Sequence, residues 1–144
     1  MNATIVFPNQ LFKSSPALSR KRKIFILQDP LFFSDTEYPA FFHKNKILLH
    51  LLSIDYYMQE LSNSGYDVQI IEVEQLQNQD CYISFFKKNN ITEIYFCDPV
   101  DYVIAKRLDI ATKKLKLKTY KYYTPLFMLN SEDVRDEFSN KKFH

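Results

Sequence analysis

An α/β fold, a parallel sheet with helices on both faces, is the fold class this sequence predicts. Two observations lead there. Five short apolar runs, dominated by Ile, Val, Phe and Tyr, have the composition of buried strands. Helical patterns lie between them, and strand–helix alternation is how a parallel sheet with crossover helices is written in sequence. Right-handed crossovers then set the hand of each unit.

The first run covers residues 4–7 and the second 23–28. The connection 8–22 is loop-rich and holds Pro16. It ends in the basic run Arg20-Lys21-Arg22-Lys23, which reads as a solvated turn before a strand. Residues 42–64 follow a helical period through Ile47, Leu48, Leu51, Leu52, Tyr56, Met58 and Leu61. That pattern stops at Asn63-Ser64-Gly65, a glycine cap signal. A third run, 68–73, precedes a helix predicted over 75–88 with Leu76, Ile83, Phe85 and Phe86 inward. The fourth run, 93–97, precedes a helix over about 102–115 with Val103, Ile104, Leu108, Ile110 and Ala111 inward. The fifth run is 119–123. Ser131, followed by Glu132 and Asp133, reads as the N-cap of a short last helix. No repeat, low-complexity tract or linker divides the chain, so residues 1–144 are read as a single domain.

The 144 residues suffice for a full core, and 46% hydrophobic with 25% charged residues are ordinary globular values. A net charge of +2 is too small to argue for nucleic acid by itself. The chain has one glycine, Gly65, which rules out the phosphate loops GxGxxG and GxxxxGK[ST], since each needs several. A nucleotide enzyme built on those loops is thereby excluded. Cys81 and Cys97 belong to no CxxC and no histidine cluster, so they read as reduced buried thiols. No leader-like start and no apolar stretch of spanning length is visible, so the expected location is cytoplasmic, with no membrane partner.

In an open parallel sheet the loops leaving the carboxyl ends of the strands meet at the edge where ligands bind. Here they are Pro8-Asn9-Gln10-Leu11-Phe12, Asp29-Pro30-Leu31-Phe32-Phe33, Asp98-Pro99-Val100-Asp101 and Thr124-Pro125-Leu126-Phe127. A proline stiffens each by fixing φ. A rigid edge with aromatic walls and a few amides or acids suits a planar heteroaromatic ligand better than a triphosphate. Each polar group also has a structural reading. Asn9 and Gln10 are residues that stabilise tight turns, and Asp29 and Asp98 are residues that cap. At least half of Phe32, Phe33, Phe41 and Phe42 are expected in the core. His43 opens the long helix, and His50 stands one turn from Lys46 on the same face. No Ser/His/Asp or Cys/His set and no metal-ligand spacing occurs, so no catalytic and no metal residue is assigned.

FPNQLF (7–12), QDPLFF (28–33), FHKNKILLH (42–50), CDPVDY (97–102) and TPLF (124–127) stand in an order and spacing that resemble a known family. This is the amino-terminal, antenna-type domain of the deoxyribodipyrimidine photolyase-related proteins, the iron–sulfur bacterial cryptochrome and (6-4) photolyase group. The resemblance runs from about residue 4 to 134. It implies a Rossmann-like, three-layer α/β/α domain with five parallel strands in the order 3-2-1-4-5. It also implies a role in light-dependent DNA repair or photoreception, with FAD, the lesion site and the iron–sulfur cluster in a following helical domain. In some members the antenna domain holds 6,7-dimethyl-8-ribityllumazine. By similarity that chromophore would lie against Asn9, Gln10, Asp29, Phe32, Phe33, His43, Lys46 and His50. Lumazine-binding members commonly have Gly-Asp-Gln-Leu where this chain has Pro8-Asn9-Gln10-Leu11, and Glu where it has Gln28.

Two functions are therefore expected of such a chain. In the first it binds a planar chromophore and does no chemistry alone, because photorepair needs a reduced flavin. In the second it is an interaction module that docks a helical FAD-binding partner, with residues 130–144 opening the connection to it. DNA is a partner only through the parent protein. Direct binding through Arg20–Lys23 would show an affinity that falls steeply with salt.

Overall fold

Each of the five apolar runs becomes a strand: β1 (Asn2–Val6), β2 (Lys23–Leu27), β3 (Val68–Ile71), β4 (Glu93–Cys97) and β5 (Lys118–Tyr122). The computed structural model describes residues 1–76, 80–129 and 131–139. All neighbouring strands pair in parallel, in the order β3-β2-β1-β4-β5. The helices are α1 (Lys44–Asn63), α2 (Cys81–Lys88), α3 (Tyr102–Leu115) and α4 (Ser131–Phe138). This is the Rossmann-like α/β architecture expected from the sequence, with the same strand order. The capping position before α4 lies outside the described residues.

Alternation along the strands divides the core in two. Ala3, Ile5, Phe25, Leu27, Ile94 and Phe96 point toward α2 and α3, where they meet Tyr82, Phe86, Ile104 and Leu108. Val6, Ile24 and Ile26 point the other way, onto Ile54, Tyr57 and Leu61 of α1. Ile24 and Ile26 are wholly buried, and each contributes about 2 kcal/mol of apolar burial. The first crossover has no helix. Residues 8–22 instead run across the sheet, tied down where Thr4 Oγ1 and Arg22 Nη2 both donate to the carbonyl of Ala17, each at 3.0 Å.

Several sequence expectations change in detail. The helix predicted from residue 75 is observed from Cys81, and Val73–Leu76 forms a 3₁₀ turn instead; residues 77–79 lie outside the described set. Leu76, Ile83, Phe85 and Phe86 are buried as expected. In α3, Ile104, Leu108 and Ala111 are buried, but Ile110 is exposed. The apolar stripe of α1 is split. Leu61 is buried and Ile47, Leu51 and Met58 are half-buried, whereas Leu48, Leu52 and Tyr56 stand in solvent. The apolar arc of α1 is wider than the part that the sheet covers. Among the four phenylalanines, Phe33 is buried, Phe32 and Phe42 are half-buried and Phe41 is fully exposed.

α1 stops where the sequence indicated. Gly65 adopts φ +81°, its N–H bonds Ser62 O at 2.9 Å, and Tyr66 N–H bonds Leu61 O at 3.1 Å. A Cβ at residue 65 would meet only Arg20 Nε, at 3.8 Å, so space is not the constraint. Left-handed backbone is. Gly65→Ala is expected to cost about 1 kcal/mol of stability, read by urea unfolding. An unchanged midpoint would refute the cap.

Candidate functional site

The loops after β1 and β4 flank the point where strand order reverses, the crevice that binds ligands in related sheets. Here side-chain amides close it. Gln10, 2% exposed, donates from Nε2 to Asp98 O at 2.7 Å and to Cys97 O at 3.2 Å. Asn9 Nδ2 donates to Pro99 O at 3.2 Å. Asn9 Oδ1 is buried and has no donor among the described residues. Beyond this clamp Val100 adopts φ +64°, a strained state for a β-branched residue, and its N–H bonds Asp98 Oδ1 at 3.1 Å. Lys121 Nζ, 2.9 Å from Asp98 Oδ2, outweighs partial burial and holds that carboxyl below its ordinary range.

Asp29, two residues past β2, has no exposed surface. Its Oδ1 caps the 3₁₀ turn Pro30–Phe32 by accepting Leu31 N–H at 2.9 Å, and its Oδ2 accepts the Tyr82 hydroxyl. Arg107 of α3 lies 3.6 Å from Asp29 Oδ1, 2.7 Å from Asp35 Oδ2 and 3.4 Å from Glu37 Oε2. Burial raises the Asp29 carboxyl pKa, and its hydrogen bonds and Arg107 recover only part of that shift. For Asp35 burial is outweighed by the Arg107 bond and by the N–H groups of Tyr38 and Glu37, so its pKa is lowered. Burial and the neighbouring Asp29 charge push the Tyr82 hydroxyl far up and the Cys81 thiol to about 11. Cys81 is thus a protonated, unreactive thiol at neutral pH. Beside this network lies a cavity of about 260 Å³, lined by Tyr38, Asp80, Cys81 and Lys106 among others.

The remaining predicted residues sit on the α1 side. His43 caps α1, its Nδ1 accepting Asn45 N–H at 3.2 Å. Lys46 is exposed, with Nζ 4.0 Å from the Phe42 ring centroid. His50 meets both aromatics of the second loop edge-on, with centroids 5.6 Å from Phe32 and 6.0 Å from Phe33. Burial, then the charge of Lys46, lowers the His50 pKa, so the ring is neutral at neutral pH. His50 also lines an open groove of about 1010 Å³ between α1 and the 8–22 connection. Its walls include Leu11, Leu18, Leu49, Leu52 and Tyr56. Tyr57, whose hydroxyl donates to Phe12 O at 2.9 Å, fixes the connection against the helix.

The predicted residues therefore form three groups: Asn9 with Gln10 at the clamp, Asp29 in the buried ion network, and Phe32, Phe33 and His50 in a ring cluster. His43 and Lys46 stand at the head of α1. The family model of deoxyribodipyrimidine photo-lyase-related proteins matches residues 4–144. The chain belongs to that family. It is also similar to uncharacterized protein R852 of Acanthamoeba polyphaga mimivirus, at 29% identity over 151 residues, 99% of this chain and 76% of that relative.

Sequence reasoning missed the partners of Asp29 in this photolyase-related chain. Arg107 carried the available signal. It falls three residues after Ile104 and one before Leu108, on the buried stripe of α3, and an arginine there needs a buried acid. Tyr82 and Asp35 gave no comparable signal. Among the described residues no group of three His, Cys, Asp or Glu side chains is placed to hold a metal, and no helix is long and apolar enough to cross a membrane.

Two outcomes follow from the network. Arg107→Met strands buried carboxylates and is expected to cost about 3 kcal/mol by chemical unfolding. A loss under about 1 kcal/mol would mean that the three ion pairs are dispensable. The second concerns pH. Asp35 has a lowered folded pKa, so its stabilisation is present above the ordinary value of 3.8 and vanishes as pH falls through the folded value. Asp35→Asn should therefore be less stable than the wild type at neutral pH, with the gap closing in acid. A pH-independent gap would assign the effect to packing instead.

Proposed function

We propose that this chain is the antenna-type α/β domain of a photolyase-related protein and holds a planar, lumazine-like chromophore on its α1 side. One observation carries this reading. His50, Phe32 and Phe33 converge beside an apolar groove in a chain of this family. The groove's aliphatic and aromatic walls suit a flat ring system, and a neutral His50 is able to hydrogen-bond it. Gln10 and Asp29, by contrast, already spend their polar atoms within the protein. When bound, such a chromophore collects light and passes the excitation to a flavin. The protein's part is to orient the ring and keep water from it. Light-dependent repair or photoreception would then belong to the assembly with a flavin domain.

Titrating 6,7-dimethyl-8-ribityllumazine with the protein is expected to raise its fluorescence anisotropy, with half-saturation in the micromolar range. His50→Ala should weaken binding about fivefold, the worth of an aromatic contact. Unchanged anisotropy at tens of micromolar protein with a native circular dichroism spectrum would sink the reading.

A second reading, docking of a helical flavin domain, is favoured by the solvent-facing stripe Leu48, Leu49, Leu52 and Tyr56 on α1. Leu48→Lys combined with Leu52→Lys should lower binding of a hydrophobic dye by about half if the stripe is a continuous apolar patch. Undiminished dye binding would count against this reading.

A further inference from the structure

The sheet face on the α1 side is only partly covered. Among the described residues the core there draws on β1, β2 and β3 and takes no side chain from β4 or β5. On the β4–β5 part of that face, where Tyr95 and Tyr120 are half-buried, four side chains form a ladder. The guanidinium of Arg22 lies 3.7 Å from the ring centroid of Tyr95. Tyr95 and Tyr120 stack in register across β4 and β5, with centroids 4.4 Å apart and planes within 8°. Lys118 Nζ lies 5.1 Å from the centroid of Tyr120. Glu93 is the acid at the ladder, already engaged by the Tyr95 hydroxyl at 3.1 Å and by Lys118 at 4.0 Å.

Lys21 and Lys23 flank Arg22 at the start of β2, and Lys116 precedes β5, so cations outnumber the acids Asp67 and Glu93 at the amino edge. A cross-strand tyrosine pair also stabilises a sheet, and lysines late in α2 and α3 complement helix dipoles. Neither role calls for cations at the starts of strands on both sides of an aromatic stack.

We propose that this β4–β5 face seats single-stranded nucleic acid. Every base has a π face, so stacking on a row of rings is indifferent to sequence, and flanking cations follow the phosphates. Tyr120 is the outermost ring, on the edge strand, with the flexible Lys118 head over it. An incoming base would stack there and release that head to a phosphate. A duplex keeps its bases stacked within and has none to offer. The surface lies away from His50 and stands or falls independently of chromophore binding.

The test uses the whole chain and a fluorescein-labelled oligothymidylate of about twelve nucleotides, within the usual site size for such surfaces. It should bind about tenfold more tightly than its abasic analogue or a duplex of equal length. Its affinity should fall with salt at a log–log slope of about −2, as for three neutralised phosphates of a single strand. Tyr120→Ala should weaken oligothymidylate about tenfold while leaving the abasic analogue unchanged, and Tyr120→Phe should retain binding. Tyr120→Leu serves the same purpose if the alanine variant does not fold. Lys21→Ala should lower the slope by about 0.7 and leave the preference for bases intact. Equal affinity for the abasic strand, or a loss in Tyr120→Phe as large as in Tyr120→Ala, would overturn the proposal.

Discussion

A carboxylate without water has to be answered by its neighbours, and the carboxyl edge of this protein is arranged around one such group. Asp29 follows β2, is wholly buried, and is met by a backbone N–H, the Tyr82 hydroxyl and Arg107. Each partner belongs to a different element. The N–H starts the turn that carries Phe32 and Phe33, Tyr82 fixes α2, and Arg107 fixes α3 and gathers Asp35 and Glu37 from the following loop. One desolvated charge thus joins the sheet, two helices and the loop whose aromatics reach His50 on the other face. Burying such a group unpaired costs far more than any surface ion pair contributes, so each partner matters to the edge.

Much of the fold was legible in the sequence, because periodicity reports burial directly. The five strands were found within a few residues, and the cap at Gly65 marked the end of α1. What failed, failed for physical reasons. Leu48, Leu52 and Tyr56 have the spacing of buried residues yet face solvent, because period alone does not say how much of a helix another layer covers. The start of α2 was placed too early because a 3₁₀ turn with a buried Leu76 resembles the first turn of a helix.

The site was less legible. Sequence places residues on an edge but does not say which way a polar atom points or whether the protein has already used it. Gln10 stands on the edge where the strand-end loops meet, as its position in the sequence indicates, but its amide clamps the loop after β4. The family resemblance rested on the same loops and proved sound, as the match over residues 4–144 shows. Stiff, mutually bonded loops are recognisable whether or not they touch a ligand.

The lysines of β5 have a further consequence. This strand is one border of the sheet, with a row of backbone groups open to pairing. Lys118 and Lys121 project from it to opposite faces, and both are exposed. Another copy of the chain adding a parallel strand there in register would bring like charges together on both faces. The lysines thereby disfavour edge-to-edge pairing along the border that carries Tyr120.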